Sequence, residues 1–172
     1  NIPCYADTGT GFFRTTEIET IMSLLMIIDN PLQDIPLIAV LRSQIAGFTP
    51  DELVRIRNMD KNSSFYNAMC LAREGCDELS LKVSDFLNRL EGWRKKSLYL
   101  NTDELLWHLY TDTGYYSYAA LMPGGAQRQG NLDILLERAR QFEKTSYRGL
   151  FNFINFIDKL KSRQGDMGSA KI

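Results

Sequence analysis

Handling a phosphate or moving a proton requires particular side chains at particular spacings, and this sequence offers few of them. A nucleotide-binding loop needs Gly-x-x-x-x-Gly-Lys-Ser/Thr, so that backbone amides and an ammonium group cradle the phosphates. The turn Thr8-Gly9-Thr10-Gly11 precedes no lysine, and Gly124-Gly125 is equally bare, so both read as turns. The single histidine, His108, has Asp112 four residues on, a spacing that sets both on one helix face. No serine or cysteine nucleophile stands near it in sequence, which leaves a structural histidine as the reading. Asp51-Glu52 and Asp103-Glu104 fall at expected helix starts, where the helix dipole already accounts for acids. Cys4, Cys70 and Cys76 leave one thiol unpaired under any intramolecular scheme, and none stands in a Cys-x-x-Cys pair. Reduced cysteines and no structural zinc follow. The sequence therefore presents no catalytic residues, no metal ligands and no cofactor site.

The elements behind these residues belong to an ordinary globular chain. A length of 172 residues suffices for one substantial core, and 44% hydrophobic with 24% charged residues is the usual balance of a soluble fold. The formal net charge of −1 provides no overall field for nucleic acid, so any such contact must come from a local patch or from backbone amides. Residues 1–15 lack the basic and apolar regions of a secretory signal. The most apolar stretch, 18–28, is too short to span a bilayer and contains Glu19 and Ser23. A cytoplasmic protein without membrane contact is expected. A chain opening on Asn1 rather than methionine fits a piece of a longer one.

Apolar spacing predicts an all-α, irregular helical bundle. Residues 2–6 read as a short extended segment without a partner strand downstream, which implies that its sheet lies elsewhere. A first helix is expected from Thr16, with Glu19 completing a capping box and Ile18, Ile21, Met22, Leu25 and Ile28 inward. Asp34 is expected to cap a second helix bearing Leu37, Val40 and Leu41. Thr49-Pro50-Asp51-Glu52 starts a third, with Leu53, Ile56 and Met59 on its inner side. Further helices are predicted at 65–73 and 78–96, the latter with Leu79, Val83, Phe86, Leu90 and Trp93 inward. Another starts at Asn101-Thr102 and ends at Gly114, followed by a short aromatic helix with Tyr115, Tyr116 and Tyr118. After the break at Met122-Pro123-Gly124-Gly125, the last two helices are placed at 129–144 and 147–162, with Ser146 capping the second and order fading from Gly165.

Short motifs carry a resemblance. Ile2-Pro3-Cys4-Tyr5-Ala6-Asp7, Phe12-Phe13, Glu17-Ile18, Ile27-Ile28-Asp29-Asn30-Pro31 and Gln33-Asp34 resemble the region after motif IV of UvrD-like superfamily 1 helicases. More narrowly, the sequence is similar to the A subunits of AddAB (RexAB) helicase–nucleases. The further residues that carry this likeness are Val40-Leu41-Arg42-Ser43, Gly47-Phe48-Thr49-Pro50-Asp51-Glu52-Leu53, Asp112-Thr113-Gly114-Tyr115-Tyr116, Gln127-Arg128, Asn131-Leu132, Arg140-Gln141-Phe142-Glu143 and Tyr147-Arg148-Gly149-Leu150-Phe151. The likeness is weakest over 57–100.

The resemblance implies a place between motifs IV and V: residues 1–42 as the tail of subdomain 2A and 43–172 as the inserted helical subdomain 2B. It implies a parent that hydrolyses ATP with Mg and carries a C-terminal exonuclease, acting in double-strand-break repair and recombination. This chain would be its non-catalytic accessory part, contacting the rest of the helicase chain and the partner B subunit. It would also contact duplex DNA, weakly and without sequence preference. In such relatives a glycine-containing turn opening 2B touches the duplex, and Gly47-Phe48-Thr49 matches it, with Thr49 replacing a glycine and Gln44 the usual proline. A tight turn entering a helix offers amides to a phosphate, and Arg42, Arg55 and Arg57 would add charge. The same turn also reads as a plain helix–helix corner. Phe12 and Phe13 read either as base-stacking aromatics or as packing beneath the first helix. A scaffold that docks the B subunit without touching DNA is the alternative role.

Overall fold

The computed structural model describes the backbone of residues 11–169 and the side chains of residues 11–163. The expected extended segment at 2–6, the turn after it and Cys4 lie outside the described residues. Within them the chain is all-helical, as its apolar spacing requires: α1 (Thr16–Asp29), α2 (Asp34–Arg42), α3 (Pro50–Met59), α4 (Phe65–Ala72), α5 (Glu78–Ser97), α6 (Thr102–Asp112), α7 (Tyr115–Leu121), α8 (Gly125–Glu143) and α9 (Leu150–Ser169), with a 3-10 turn at Phe12–Arg14. Among the described residues no helix is long and apolar enough to cross a membrane.

The centre of the bundle is α1. It buries Ile18, Ile21, Met22, Leu24, Leu25, Ile27 and Ile28, apolar on nearly every side. A helix of that composition must be surrounded, and α2, α5, α8 and α9 all pack on it. Its start differs from expectation. Thr15, not Thr16, is the extended residue before the helix, and its hydroxyl donates to the Phe12 carbonyl at 2.9 Å instead of accepting from an amide. Asp34 is likewise not the cap of its own helix, because its carboxylate turns across to α4. There Oδ1 accepts from the Phe65 amide at 2.7 Å and Oδ2 from Arg57 at 2.9 Å.

Elsewhere local chemistry and structure agree. Glu52 accepts from the Thr49 amide at 2.8 Å while Thr49 Oγ1 accepts from the Glu52 amide at 3.2 Å, the expected reciprocal cap of α3. Glu104 repeats half of this device on the Asn101 amide at 2.9 Å. The five inward residues expected of α5 are all buried. Met59 is not: it ends α3 with 53% of its surface exposed, and Ile56 carries the burial there.

The last two helices depart most. α8 begins at Gly125, four residues ahead of the expected start, because the glycine pair opens the helix rather than delaying it. Gly124 takes φ 72°, and a Cβ on Gly125 would collide with the Ala120 carbonyl, so α7 and α8 meet at a corner only glycine fits. α9 begins at Leu150 after Gly149 (φ 92°), not at Tyr147, and Ser146 does not cap it. Its backbone stays helical through Ser169, past the expected fading at Gly165.

Candidate nucleic-acid interface

The corner between α2 and α3 is built from backbone bonds that close it on itself. Gly47 takes φ 67° and its amide donates to Ser43 at 2.8 Å, while the Phe48 amide donates to Leu41 at 2.8 Å. The Thr49 amide is held by Glu52. The expectation that this turn presents free amides to a phosphate is therefore corrected: all three are engaged within the chain. Phe48 is buried edge-to-face against Phe86. Gly47 and Thr49 remain at the surface.

What the corner does offer is charge, and from a helix that the sequence alone did not bring to it. Lys82 donates from Nζ to the Gly47 carbonyl at 2.9 Å and to Glu52 at 2.8 Å, over the Phe48 ring. Hydrogen bonding by Lys82 and the Thr49 amide holds the Glu52 carboxyl below its ordinary value. Arg89 donates to the Ile45 carbonyl at 3.3 Å while its guanidinium lies 5.0 Å from the centre of the Trp93 ring. Arg42 is exposed on the same corner. Neither Arg42 nor Arg89 has an acidic partner among the described residues. Lys82, Phe86, Arg89 and Trp93 follow helical spacing, which marks both cations as edging the apolar stripe of α5. The sequence did not say which corner that edge would meet.

The other two arginines diverge. Two residues apart on α3, they point about 200° apart around its axis. Arg55 pairs with Asp77 at 2.6 Å in the open, with side chains 56% and 52% exposed. Arg57 is a structural bolt: it bonds Asp34, donates to the Ser63 carbonyl at 2.8 Å, and covers the Phe65 ring. It has little left for a phosphate.

Phe12 and Phe13 are both buried, edge-to-face at 5.0 Å beneath α1, so neither ring presents a face to a base. His108 and Asp112 share a helix face, but Asp112 accepts from the Trp93 indole at 2.7 Å. Among the tyrosines of α7, Tyr115 is buried, and the Tyr116 hydroxyl donates to Asp133 at 3.0 Å. In the basic run after Trp93, Arg94 donates to the Ile28 carbonyl at 3.1 Å and Lys95 pairs with Glu91 one turn away. Among the described residues no group of His, Cys, Asp and Glu side chains gathers to hold a metal ion.

Between α1 and α8, three of the family-like motifs converge. Glu17, only 1% exposed, accepts from Arg128 at 2.6 Å and from Asn131 Nδ2 at 2.6 Å. This clamp ties α1 to α8. Burial would raise the Glu17 carboxyl, but the hydrogen bonds from Asn131, its own backbone, Thr15 and, least, Arg128 outweigh that and hold it below its ordinary value of 4.5. Glu17 stands with Glu19 in the first turn of α1, so the sequence did not single it out, and only the fold supplies its partners.

No protein-family model matches the chain. Individual proteins do. It is 64% identical over 172 residues to the A subunit of an ATP-dependent helicase/nuclease from Acetivibrio thermocellus, which covers 99% of this chain and 14% of that protein. A protein of the same name from Thermoanaerobacter sp. is 60% identical over 171 residues, with the same coverage. One from Clostridium botulinum (strain Loch Maree) is 52% identical over 198 residues, 99% of this chain and 16% of that protein. The chain thus spans about one seventh of the length of the curated relatives it matches. Over its whole length, it belongs with one segment of the A subunits of ATP-dependent helicase/nucleases.

Proposed function

We propose that this chain is a non-catalytic helical subdomain of such a helicase–nuclease polypeptide, and that it guides duplex DNA toward the motor. In this reading residues 1–42 continue a 2A-type subdomain and 43–172 form the 2B-type insertion. ATP, Mg and both hydrolytic activities belong to the remainder of the polypeptide, which works with a B subunit in the bacterial cytoplasm on broken DNA.

The observation that carries the DNA role is the cationic corner. Arg42 and Arg89, neither with an acidic partner among the described residues, lie by an exposed glycine turn, where Lys82 is paired with Glu52. Such an arrangement fits backbone phosphates irrespective of base sequence. The role moves from the amides of 47–49 to side chains, and from the engaged Arg55 and Arg57 to Arg89 beside Arg42. With about two to three phosphates engaged, affinity would be weak, on the order of 10 μM at physiological salt.

Titration of the chain with a short duplex, followed by amide NMR, tests the reading. The expected perturbations cluster at residues 41–49 and along the Lys82–Arg89 edge of α5, and are the same for duplexes of unrelated sequence. Shifts confined to other faces, or none at millimolar duplex, would contradict it and leave the scaffold role.

A further inference from the structure

The opposite chemical character appears on the face formed by α6 and α8. Trp107 projects from α6 with 48% of its surface exposed, edge-to-face with Tyr116 at 5.8 Å and with Tyr110 at 6.4 Å. Tyr110 and Tyr116 stack at 5.9 Å, and their hydroxyls are tied down, Tyr110 to the Leu132 carbonyl at 2.9 Å and Tyr116 to Asp133. The indole is therefore held by a rigid aromatic base. Beside it opens a groove of about 460 Å³ lined by Trp107, Tyr116, Asp133, Leu136, Glu137 and Arg140.

Asp133, Glu137 and Arg140 follow one face of α8, and Asp103 stands one turn before Trp107 on α6. Arg140 reaches Glu137 only loosely, at 3.8 Å, so the acids outnumber the cation around the indole. Burial, with the Asp133 charge as a second cause, pushes the Tyr110 hydroxyl far above its ordinary value, and burial followed by the hydrogen bond to Asp133 raises that of Tyr116. An aromatic platform rimmed by carboxylates favours a cation that can lie flat on a ring and be hydrogen-bonded at its edge, which is what a guanidinium does.

We propose that the α6–α8 groove is a protein-docking site that receives an arginine side chain from a polypeptide segment outside this chain, with the guanidinium on Trp107 and its donors directed at Asp133 and Glu137. Charge complementarity selects the occupant. The site shares no residue with the cationic corner and stands independently of the DNA role.

The test is titration of the chain with an arginine-containing probe, acetyl-Gly-Arg-Gly-Arg-Gly amide, followed by the Trp107 indole N–H signal, with the lysine and glutamate versions as controls. A saturable shift of the Trp107 signal is expected with the arginine probe, weaker with lysine and absent with glutamate. Trp107→Leu and Glu137→Gln should each weaken binding by about 3- to 30-fold. Glu137 is exposed, so its variant reads the site without disturbing the fold. Arg42→Ala and Arg89→Ala should leave probe binding unchanged. Equal affinity in wild type and Glu137→Gln would overturn the proposal, as would displacement of the Trp107 signal by duplex DNA.

Discussion

The clamp between α1 and α8 and the corner between α2 and α3 both draw on motifs that carry the sequence resemblance, yet they treat charge in opposite ways. In the clamp, Glu17 sits 1% exposed and its oxygens accept from Arg128 and Asn131, so a charge has been brought inside and neutralised there. At the corner, Arg42 and Arg89 stay near solvent without acidic partners among the described residues, and backbone carbonyls position the Arg89 and Lys82 heads. A residue within such a motif can thus hold the fold, or be left free to meet something outside. Burial and partnering distinguish the two, and spacing in the sequence does not.

The largest effect should come from breaking the clamp. Glu17→Ala leaves Arg128 and Asn131 without their acceptor at a buried site and is expected to cost about 3–5 kcal/mol of stability. Chemical denaturation measures this directly, and a loss below about 1 kcal/mol would place the clamp with the surface pairs. Its pH dependence follows from the lowered carboxyl. A group whose folded value lies below its unfolded one stabilises fully above the unfolded value and loses that contribution as pH falls through the folded value. Stability should therefore drop below about pH 4.5, more steeply in wild type than in Glu17→Gln. A thermal melt series from neutral to acidic pH gives the comparison.

The corner should respond more mildly. Gly47→Ala places a side chain at φ 67°, where space is open but the backbone conformation is costly, so a loss of about 1–2 kcal/mol is expected. Arg55→Ala gives the smallest effect. Its pair with Asp77 is as short as the clamp's at 2.6 Å, but more than half exposed on both sides, and solvent screening should reduce its contribution to below about 1 kcal/mol. Equal costs for Glu17→Ala and Arg55→Ala would mean that distance, not burial, sets the worth of these pairs.

Much of the fold was legible because α1, α5 and α6 carry long apolar repeats with clear boundaries, and because Thr49 and Glu52 form a cap entirely within a few residues. The misreadings share a cause. Thr16, Glu19 and Asp34 stand where a local cap is plausible, but Asp34 is drawn across to α4 and Arg57 by tertiary contacts. Gly124-Gly125 reads as a break, since sequence cannot show that Ala120 leaves room only for glycine. At the candidate interface, Arg42 and the corner were named from the sequence as candidates, and the structure leaves Arg42 exposed there. Lys82 and Arg89 were not named, because they reach it through the packing of α5, about 35–44 residues away along the chain. Arg57 was assigned to DNA on proximity in sequence, and helical geometry sends it elsewhere.

If duplex phosphates meet the α2–α3 corner through side-chain charge, the salt dependence of duplex affinity must report it. Comparing wild type with the Arg42→Ala/Arg89→Ala double variant is the most direct measurement. A log–log slope of about −2 to −3 is expected for wild type, reduced in magnitude by about 2 in the double variant and unchanged in Arg55→Ala. Identical slopes for wild type and the double variant would contradict a DNA role for this corner.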